Sequence, residues 1–427
     1  MSREGVTSAP AFAPGRFVRL PEVLRQRDFR RFWLGETVSL VGDQITLIAL
    51  PLVAVLELDA SASEMGFLTA AALVPNLLFS LHAGAWVDRR GKRRQTMIAT
   101  ALGRAALLAS IPVAYALGIL SLTQLYVAGF LIGTLSVLFF VAYSTLFVSL
   151  VPRSQYLEAN SLLHGSRALS FVAGPSLGGL LVQALSAPGA LIADAVSFLA
   201  SAFSMSSISA AEPPTEEPQR GHVKAGIRYI RNSPIVRASL LATATINFFN
   251  FIFWALFILY ATRVLDVRPG LLGLVLGAAS IGGVIGSVVA GRLSRRIGVG
   301  PAFAVGCVMF PAPLVLVPLA GGGRWTIVAL LFAAEFLSGL GVMVLDITAA
   351  SIKAALVPDR LRARVSGAYM VVNYGVRPIG ALVGGALGTW IGLRPTLWIA
   401  SVGAIAGVLW LLPSPLLRLR ELPEVEE

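Results

Sequence analysis

The sequence is poor in the charged residues that soluble proteins carry on their surfaces. Only 13% of its 427 residues are Asp, Glu, Lys or Arg, about half the 25% that is typical of soluble domains. Residues 105–152 form a run of 48 without one Asp, Glu, Lys, Arg or His. No helix in the core of a soluble protein needs such a run, so the composition excludes an ordinary soluble protein.

Cysteine and histidine are also scarce, and their scarcity excludes several kinds of site. The one cysteine, Cys307, lies in an apolar stretch and cannot form an intrachain disulfide. His82, His164 and His222 are far apart in sequence, and no His/Cys pair has the spacing of metal ligands. No Gly-x-x-x-x-Gly-Lys-[Ser/Thr] segment is present to hold phosphate. We therefore expect no metal, no cofactor, no ATP-driven motor in the chain and no enzymatic activity.

Apolar stretches take the place of the missing charge. Hydrophobic residues make up 56% of the chain, and the mean hydropathy is +0.78. A helix needs roughly 20 apolar residues to cross about 30 Å of hydrocarbon, and twelve stretches are long enough. They predict an all-α membrane protein with twelve transmembrane helices, here spans 1–12: 33–56, 64–87, 95–117, 122–150, 159–185, 188–210, 238–262, 269–291, 301–320, 325–352, 362–387 and 393–413.

The basic residues are concentrated on one side of these spans. The two tails, the even-numbered connections and the first residues of span 11 hold 27 Lys and Arg, and the odd-numbered connections with the first residues of span 12 hold four. The positive-inside rule then places both termini in the cytoplasm, in a multi-pass protein of the cytoplasmic (inner) membrane. The net charge of +12 is explained as a topology signal facing anionic lipid, so we expect no nucleic acid partner. The segment before the first span lacks an apolar core, so we expect no cleavable signal peptide.

Two landmarks recur along the chain at nearly the same offset. The pattern Gly-x-x-x-x-Arg-x-Gly at residues 84–91 returns at 291–298, and Val-Pro at 151–152 returns at 357–358. Because the two landmarks return after almost equal lengths of chain, they predict two homologous halves of six helices each, a pseudo-symmetric pair of bundles.

The predicted halves are joined by a linker with two parts. Residues 212–218 are polar and rich in proline, as in a flexible linker. Val223, Ile227 and Ile230 then follow at helical spacing with basic residues between them, which predicts an amphipathic helix on the membrane surface. The predicted organisation is an N-terminal tail at 1–32, bundles at 33–210 and 238–413, the linker at 211–237 and a C-terminal tail at 414–427.

A basic segment, GAWVDRRGKRR, connects spans 2 and 3. Gly84 permits a neighbouring helix to approach closely. Asp88 directly follows span 2, where its carboxylate can meet the positive N-terminus of another helix. The segment fits the pattern G-x-x-x-D-R-x-G-[RK]-[RK] and resembles the loop 2–3 signature of the major facilitator superfamily. The resemblance implies that Gly84, Asp88, Arg89, Gly91 and Arg93 latch the cytoplasmic side shut in an outward-facing state. The alternative is that these charges only set the topology.

Span 5 contains a second motif, Gly-Pro-Ser-Leu-Gly-Gly, which resembles the end of the span 5 motif of antiporters in that superfamily. Two glycines that precede it in the full pattern are serines in this chain. The match favours antiport, and the other interpretation is a Pro/Gly kink that packs tightly against a neighbour. The residues concerned are Gly174, Pro175, Gly178 and Gly179.

Ionisable residues inside the spans are candidates for the transport pathway, because each costs about 2.5–3.5 kcal/mol at the centre of a membrane helix. The resemblance implies that spans 1, 4, 7 and 10 line a central cavity, so that Asp43 and Glu335 face the substrate. We expect Arg104 or Arg167 to pair with Asp43, and Arg377 to pair with Glu335; the alternative is that such pairs only lock helix packing. The other candidates are Glu36, Asp194 and Asp346, with Asn247 and Asn250 beside a wall formed by Phe248, Phe249, Phe251, Phe253 and Trp254.

Further segments at 27–33, 39–44 and 357–367 resemble the bacterial branch of the superfamily that includes the enterobactin exporter and macrolide and tetracycline efflux proteins. The resemblance implies a monomeric secondary transporter in membrane lipid that exports amphiphilic small molecules in exchange for protons. Span 4 lacks the intramembrane arginine of many proton antiporters, so Arg104 or Arg167 is expected to supply that role. The alternatives are a lipid or lysophospholipid transporter of the same fold, a membrane enzyme acting on lipid-linked substrates, and a non-transporting scaffold or sensor.

Overall fold

The computed structural model describes residues 21–209 and 223–421, except the side chains at 81, 85, 88 and 223–225. Most of the predicted N-terminal tail, the proline-rich part of the predicted linker, the last six residues and the side chain of Asp88 therefore lie outside the described residues.

The described chain is almost entirely helical, and twelve of its segments are long and apolar enough to cross a membrane. Several helix starts carry ordinary signals: Pro234 and Pro269 occupy the first turns of their helices, and Ser121 accepts a hydrogen bond from the Gln124 amide. The prediction of an all-α protein with twelve transmembrane helices is confirmed. The helices are α1 Arg27–Leu56, α2 Ala62–Arg90, α3 Arg93–Ala116, α4 Leu122–Leu150, α5 Tyr156–Leu185, α6 Ala187–Ser206, α7 Val223–Asn232, α8 Pro234–Arg263, α9 Pro269–Ile297, α10 Val299–Met309, α11 Leu316–Leu319, α12 Arg324–Leu356, α13 Asp359–Trp390 and α14 Leu393–Ile405.

Span 9 differs from a continuous helix. It consists of α10, a 3-10 turn at Ala312–Val315 and the short α11. Pro311 and Pro313 stand at the break, where each lacks the amide proton that would continue the helical hydrogen bonds.

The backbone repeats the pattern found in the sequence. Residues with positive φ occupy equivalent connections in the two halves, separated along the chain by nearly the same length as the two sequence landmarks. Such angles are uncommon outside glycine, so their recurrence at matched positions supports two pseudo-symmetric bundles, α1–α6 and α8–α14. The pairs are Asp59 with Asp266, Gly91 with Gly298, and Ser186 with Gly392.

The two bundles share an apolar core on one side of the protein only. The largest cluster of buried side chains takes residues from both bundles, whereas a second cluster belongs to the first bundle and two more belong to the second bundle with α7. The separate clusters lie on the side of the chain termini and the even-numbered connections, which we call the terminal side. The bundles therefore join on the opposite side, which we call the closed side.

Glycine pairs bring the bundles together on the closed side. A Cβ atom added to Gly66 of α2 would lie 2.9 Å from the Cα of Gly385 in α13, and one added to Gly179 of α5 would lie 2.8 Å from the Cα of Gly273 in α9. The two contacts are related by the repeat. Small residues permit such close crossing of membrane helices, so both contacts need glycine.

The glycine motif of span 5 has a packing role, and it too is repeated. Gly178 of α5 lies against α1, where an added Cβ would come within 3.1 Å of the Ile45 Cα. Gly384 of α13 lies against α8 in the same way, with 2.9 Å to the Ile252 Cα. Residues 174–179 and 380–385 are thus equivalent, and each segment packs on the first helix of its own bundle and on a helix of the other.

The terminal side is open between the bundles. Among the described residues, no atom lies within 4 Å of a Cβ position built on Gly84 of α2, Gly165 of α5 or Gly367 of α13. These helices touch the other bundle on the closed side, so they diverge toward the terminal side. The space between the bundles therefore opens on the terminal side, and we call it the cavity.

The linker helix α7 docks on the second bundle. The Tyr229 hydroxyl donates a hydrogen bond to the Leu356 carbonyl oxygen, and Gly226 lies against the Arg364 backbone. Ile230 is buried with residues of α8 and α13, while Ile227 stays exposed. One face of α7 therefore packs against the second bundle, a contact that the sequence alone did not predict.

Candidate functional site

Asp43 lies near the middle of α1 with its side chain 43% exposed. Its Oδ1 is 3.9 Å from Nη1 of Arg104, whose side chain is 3% exposed in the middle of α3. The expected pairing of Asp43 with an arginine is confirmed. The separation lies within ion-pair range but beyond hydrogen-bond length, so the two charges attract each other without forming a tight bridge.

Two phenyl rings hold Arg104 instead. Its guanidinium carbon lies 4.4 Å from the ring centroid of Phe139 in α4 and 4.1 Å from that of Phe198 in α6. Nε and Nη2 have no hydrogen-bond partner among the described residues. Cation–π contacts of this kind stabilise a desolvated guanidinium by roughly 2 kcal/mol, so the rings fix the arginine near Asp43.

Two further carboxyl groups surround this arginine. Asp194 of α6 is fully buried and accepts hydrogen bonds from the Thr46 hydroxyl and, at 2.8 Å, from the Ser197 hydroxyl. Glu36, two helical turns before Asp43 on α1, is also buried, and its Oε2 has no partner among the described residues.

The charges of this bundle act on one another. Arg104 interacts electrostatically with all three carboxyl groups, and Arg167 of α5 with Glu36 and Asp43. Four helices, α1, α3, α5 and α6, thus bring together five of the site residues that were predicted from the sequence. We call the five residues Glu36, Asp43, Arg104, Arg167 and Asp194 the acidic cluster.

The second bundle contains a mostly neutral network at the equivalent place. Asn247 of α8 donates through Nδ2 to Oδ1 of Asn373 in α13 at 3.0 Å and accepts at Oδ1 from Nε of Arg377 at 3.0 Å. One turn away, the Thr243 and Tyr369 hydroxyls are 2.8 Å apart. We call Thr243, Asn247, Tyr369, Asn373 and Arg377 the amide network.

Thr243, Tyr369 and Asn373 were not predicted from the sequence. Neutral polar side chains are far less costly in a membrane helix than charges, so a search for intramembrane charges passes over them. The internal repeat could have indicated two of these residues, because it relates them to polar residues of the first bundle. The offset between the two Val-Pro landmarks places Asn373 at the position of Arg167 and Thr243 at that of Thr37.

Aromatic rings cover the guanidinium of Arg377. Its central carbon lies 4.3 Å from the centroid of the Tyr374 ring and 5.2 Å from that of Phe251. Asp346 of α12, exposed in the structure, and Lys353 two turns further on add charge nearby: Asp346 interacts electrostatically with both Lys353 and Arg377.

The expected pairing of Arg377 with Glu335 is wrong. Glu335 is 1% exposed, its Oε1 has no partner in the described part of the chain, and no charged group there acts on it. Glycines explain the enclosure: Gly282 of α9 and Gly339 of α12 bring the two backbones into contact around it. Glu335 therefore lies in a helix interface and does not line the cavity with Asp43.

The aromatic residues of α8 do not form one wall, contrary to expectation. Only Phe251 lies at Arg377. Phe253 is fully buried and stacks on Phe257 with centroids 5.4 Å apart, and Phe249 packs against Gly403 of α14. The rings point to different faces because consecutive residues of a helix are rotated by about 100°. Asn250 is buried beside them, and its Oδ1 has no partner within the described residues.

The connection between α2 and α3 turns sharply at Gly91, whose φ of 61° favours glycine. Arg89 is exposed before the turn, whereas Arg93 is buried at the start of α3. No described atom lies within 4 Å of a Cβ built on Gly84 in this conformation. The side chain of Asp88 lies outside the described residues.

Comparison with known proteins agrees with this architecture. A family model described as Major Facilitator Superfamily matches residues 32–375 and 239–427. The multidrug efflux pump Tap of Mycolicibacterium fortuitum is 29% identical over 406 residues, covering 89% of this chain and 93% of that protein. Tap of Mycobacterium tuberculosis H37Rv is 27% identical over 389 residues, covering 84% and 86%.

A solved structure shares the fold. A bacterial homologue of the iron transporter ferroportin, in an inward-facing state, superimposes with a TM-score of 0.72 at 16% identity and covers 91% of this chain and 98% of that one. Twelve membrane-spanning helices in two repeated bundles, a cavity between them and a family model that matches nearly the whole chain lead to one conclusion: this multi-pass membrane protein belongs to the Major Facilitator Superfamily of transporters.

Proposed function

We propose that this protein exports amphiphilic small molecules from the cell in exchange for protons. The observation that carries the proposal is Asp43, a carboxyl group exposed at mid-depth in the cavity and only loosely attached to Arg104. Intramembrane carboxylates of this kind mark ion pathways. The related Tap proteins are multidrug efflux pumps, which supports export and a broad substrate range.

The distribution of basic residues supports an orientation for the cavity. We place the terminal side in the cytoplasm, because it holds 27 Lys and Arg against four on the other side. The described conformation is then inward-facing, with its external side closed by the two glycine pairs. Substrate enters the cavity from the cytoplasm or the inner leaflet.

Competition at Asp43 couples the two fluxes in this proposal. The carboxylate binds a proton, the cationic part of a substrate or Arg104, and each excludes the others. A proton arriving from outside displaces the substrate, and a substrate arriving from inside displaces the proton. Coupling in this scheme needs one carboxyl group that both ligands reach, which the exposure of Asp43 provides.

The test is proton release by purified protein on addition of ethidium, an amphiphilic cation, together with pH-driven ethidium transport in proteoliposomes. Asp43→Asn should abolish the release and the dependence on the pH gradient while the protein stays folded. Asp194→Asn is the matched control, since Asp194 is fully buried, and release should persist in it. Undiminished release in Asp43→Asn would overturn the proposal.

The segment after α2 supplies the latch in the proposed cycle. Asp88 at the end of α2 would hold the second bundle only when the cytoplasmic side is shut, which agrees with the lack of contact at Gly84 in the open form. Asp88→Asn should shift the population toward the inward-facing form. Double electron–electron resonance between labels on the cytoplasmic connections should show longer distances, and unchanged distributions would remove the latch.

A further inference from the structure

We infer that the cavity selects amphiphiles that carry an anionic group as well as a cationic one, with Arg377 binding the anion and Asp43 the cation. The inference rests on the proposed function, because it names the substrate class of the same cavity.

Arg377 is held in one orientation before any ligand arrives. Its Nε donates to Asn247, which is itself fixed by Asn373 at 3.0 Å and by the Thr243 carbonyl oxygen at 2.9 Å. Tyr374 also interacts with the guanidinium, through its ring and its hydroxyl group. A guanidinium has five N–H donors in a fixed fork, so a group held in this way keeps further donors for a ligand.

The guanidinium lacks a tight counter-ion in the described part of the chain. No carboxylate there lies within 4 Å of it, although Asp346 acts on it from further away. Guanidinium groups bind carboxylate and phosphate through two parallel hydrogen bonds. An oxyanion on the substrate would supply the missing partner.

Arg377 and Asp43 lie at similar depths in opposite bundles. Both α1 and α13 begin on the terminal side, and at 1.5 Å per residue Asp43 is about 24 Å along α1 and Arg377 about 27 Å along α13. Both groups are accessible, since Asp43 is 43% exposed and Arg377 is half-buried.

The accessible charges beside the amide network are Lys353 and Arg377 with one carboxylate, Asp346, so one positive charge is in excess there. A substrate with an anionic group supplies the missing negative charge, while its cationic part binds Asp43 in place of the loosely attached Arg104. A simple cation would leave Arg377 desolvated without a partner when the cavity closes, which is costly for any buried charge.

The test compares two dyes that differ in one group: rhodamine B, with a cationic xanthylium and a free carboxylate, and its ethyl ester, which is only cationic. Binding to the purified full-length protein in detergent is measured by fluorescence polarisation without a proton gradient. The wild type should bind rhodamine B at least tenfold more tightly than the ester. Arg377→Gln should remove this preference by weakening the acid about tenfold while leaving the ester within twofold, and Arg377→Lys should restore part of it.

Matched variants separate this role from a structural one. Arg263→Gln removes an arginine of the closed side that pairs with Asp59 and should keep the preference, while Asp43→Asn should weaken both dyes equally. Equal binding of the dyes by the wild type, equal loss of both in Arg377→Gln, or no binding of rhodamine B would overturn the inference. A failure of proton coupling would leave this binding result unchanged, so the two proposals fail separately.

Discussion

The first and second bundles use the same joint between helices but place different chemistry beside it. In the first bundle the Thr37 hydroxyl of α1 donates to Ser166 of α5 at 3.0 Å, and in the second the Thr243 hydroxyl of α8 lies 2.8 Å from that of Tyr369 in α13. At the position equivalent to the charged Arg167, however, the second bundle has the neutral Asn373. The acidic cluster and the amide network are thus two different sets of side chains at equivalent places in one repeated arrangement of helices.

The difference separates two tasks that a coupled transporter needs. Ionisable groups that share partners can exchange a proton for a cation, and the first bundle holds three carboxyl groups around Arg104. Amides and hydroxyls keep a fixed pattern of hydrogen bonds, and the second bundle uses them to orient Arg377. In the proposed transport cycle, ion exchange therefore belongs to the first bundle and ligand orientation to the second.

The largest expected effect is the loss of Arg104. Removing one member of a buried ion cluster leaves uncompensated charge and costs about 3–5 kcal/mol, so Arg104→Met should lower the free energy of unfolding by that amount. Arg377→Gln, in the half-buried amide network, should cost only about 1–2 kcal/mol. Both are measured by denaturant unfolding in detergent.

Arg104→Lys is the matched control for that comparison, since it keeps the charge while losing the planar contact with Phe139 and Phe198. It should recover more than half of the lost stability. Equal costs for Arg104→Met and Arg377→Gln would contradict the view that the acidic cluster is held together by its charges.

A smaller effect is expected at the closed side, where the bundles should respond alike. Gly66→Ala and Gly179→Ala each force a Cβ into a backbone less than 3 Å away, and such overpacking costs about 1–3 kcal/mol. Both should lower the population of the described conformation, in which the closed side is shut. Spin labels at Ile119 and Gly321, on two connections of the closed side, should move apart in both variants.

Gly323→Ala is the control, because no described atom lies near a Cβ built on that exposed glycine, in a connection of the closed side. Its label distances should match those of the wild type. A change in only one of Gly66→Ala and Gly179→Ala would show that the closed side is not symmetric in energy, although it is symmetric in geometry.

Much of the fold was predictable from the sequence, because apolar length and a repeated offset are properties of the sequence itself. That Asp43 would pair with Arg104 or Arg167 was also predictable, since all three lie near mid-depth of their spans and isolated charges are costly there. Which of the two arginines lies within ion-pair range became known only from the structure.

The surroundings of Glu335 were not predictable. Its depth along α12 follows from its place in the sequence, but α12 is apolar on all faces, so no periodicity reveals which face meets α9. The enclosure depends on glycine contacts between distant segments, Gly282 with Phe336 and Gly339 with Ala279. The partner of Arg377, which is Asn247, depends in the same way on how α13 packs against α8, and the sequence does not reveal that packing.

The smallest expected effect concerns the repeated hydroxyl joint. Thr37→Val and Thr243→Val keep the shape of the side chain and remove its hydrogen bonds, at a cost of about 0.5–1.5 kcal/mol each. Ser166 keeps Trp33 as a partner at 2.9 Å, and Tyr369 keeps the Ser239 carbonyl oxygen at 3.1 Å, so neither loss should exceed this range. The two sites share no partner, and distant sites usually contribute additively within about 0.5 kcal/mol. The double variant should therefore lose the sum of the two single losses. A deviation clearly larger than that margin would mean that the two bundles are coupled energetically through the closed side. The bundles would then not be independent in stability, even though they differ in their proposed tasks.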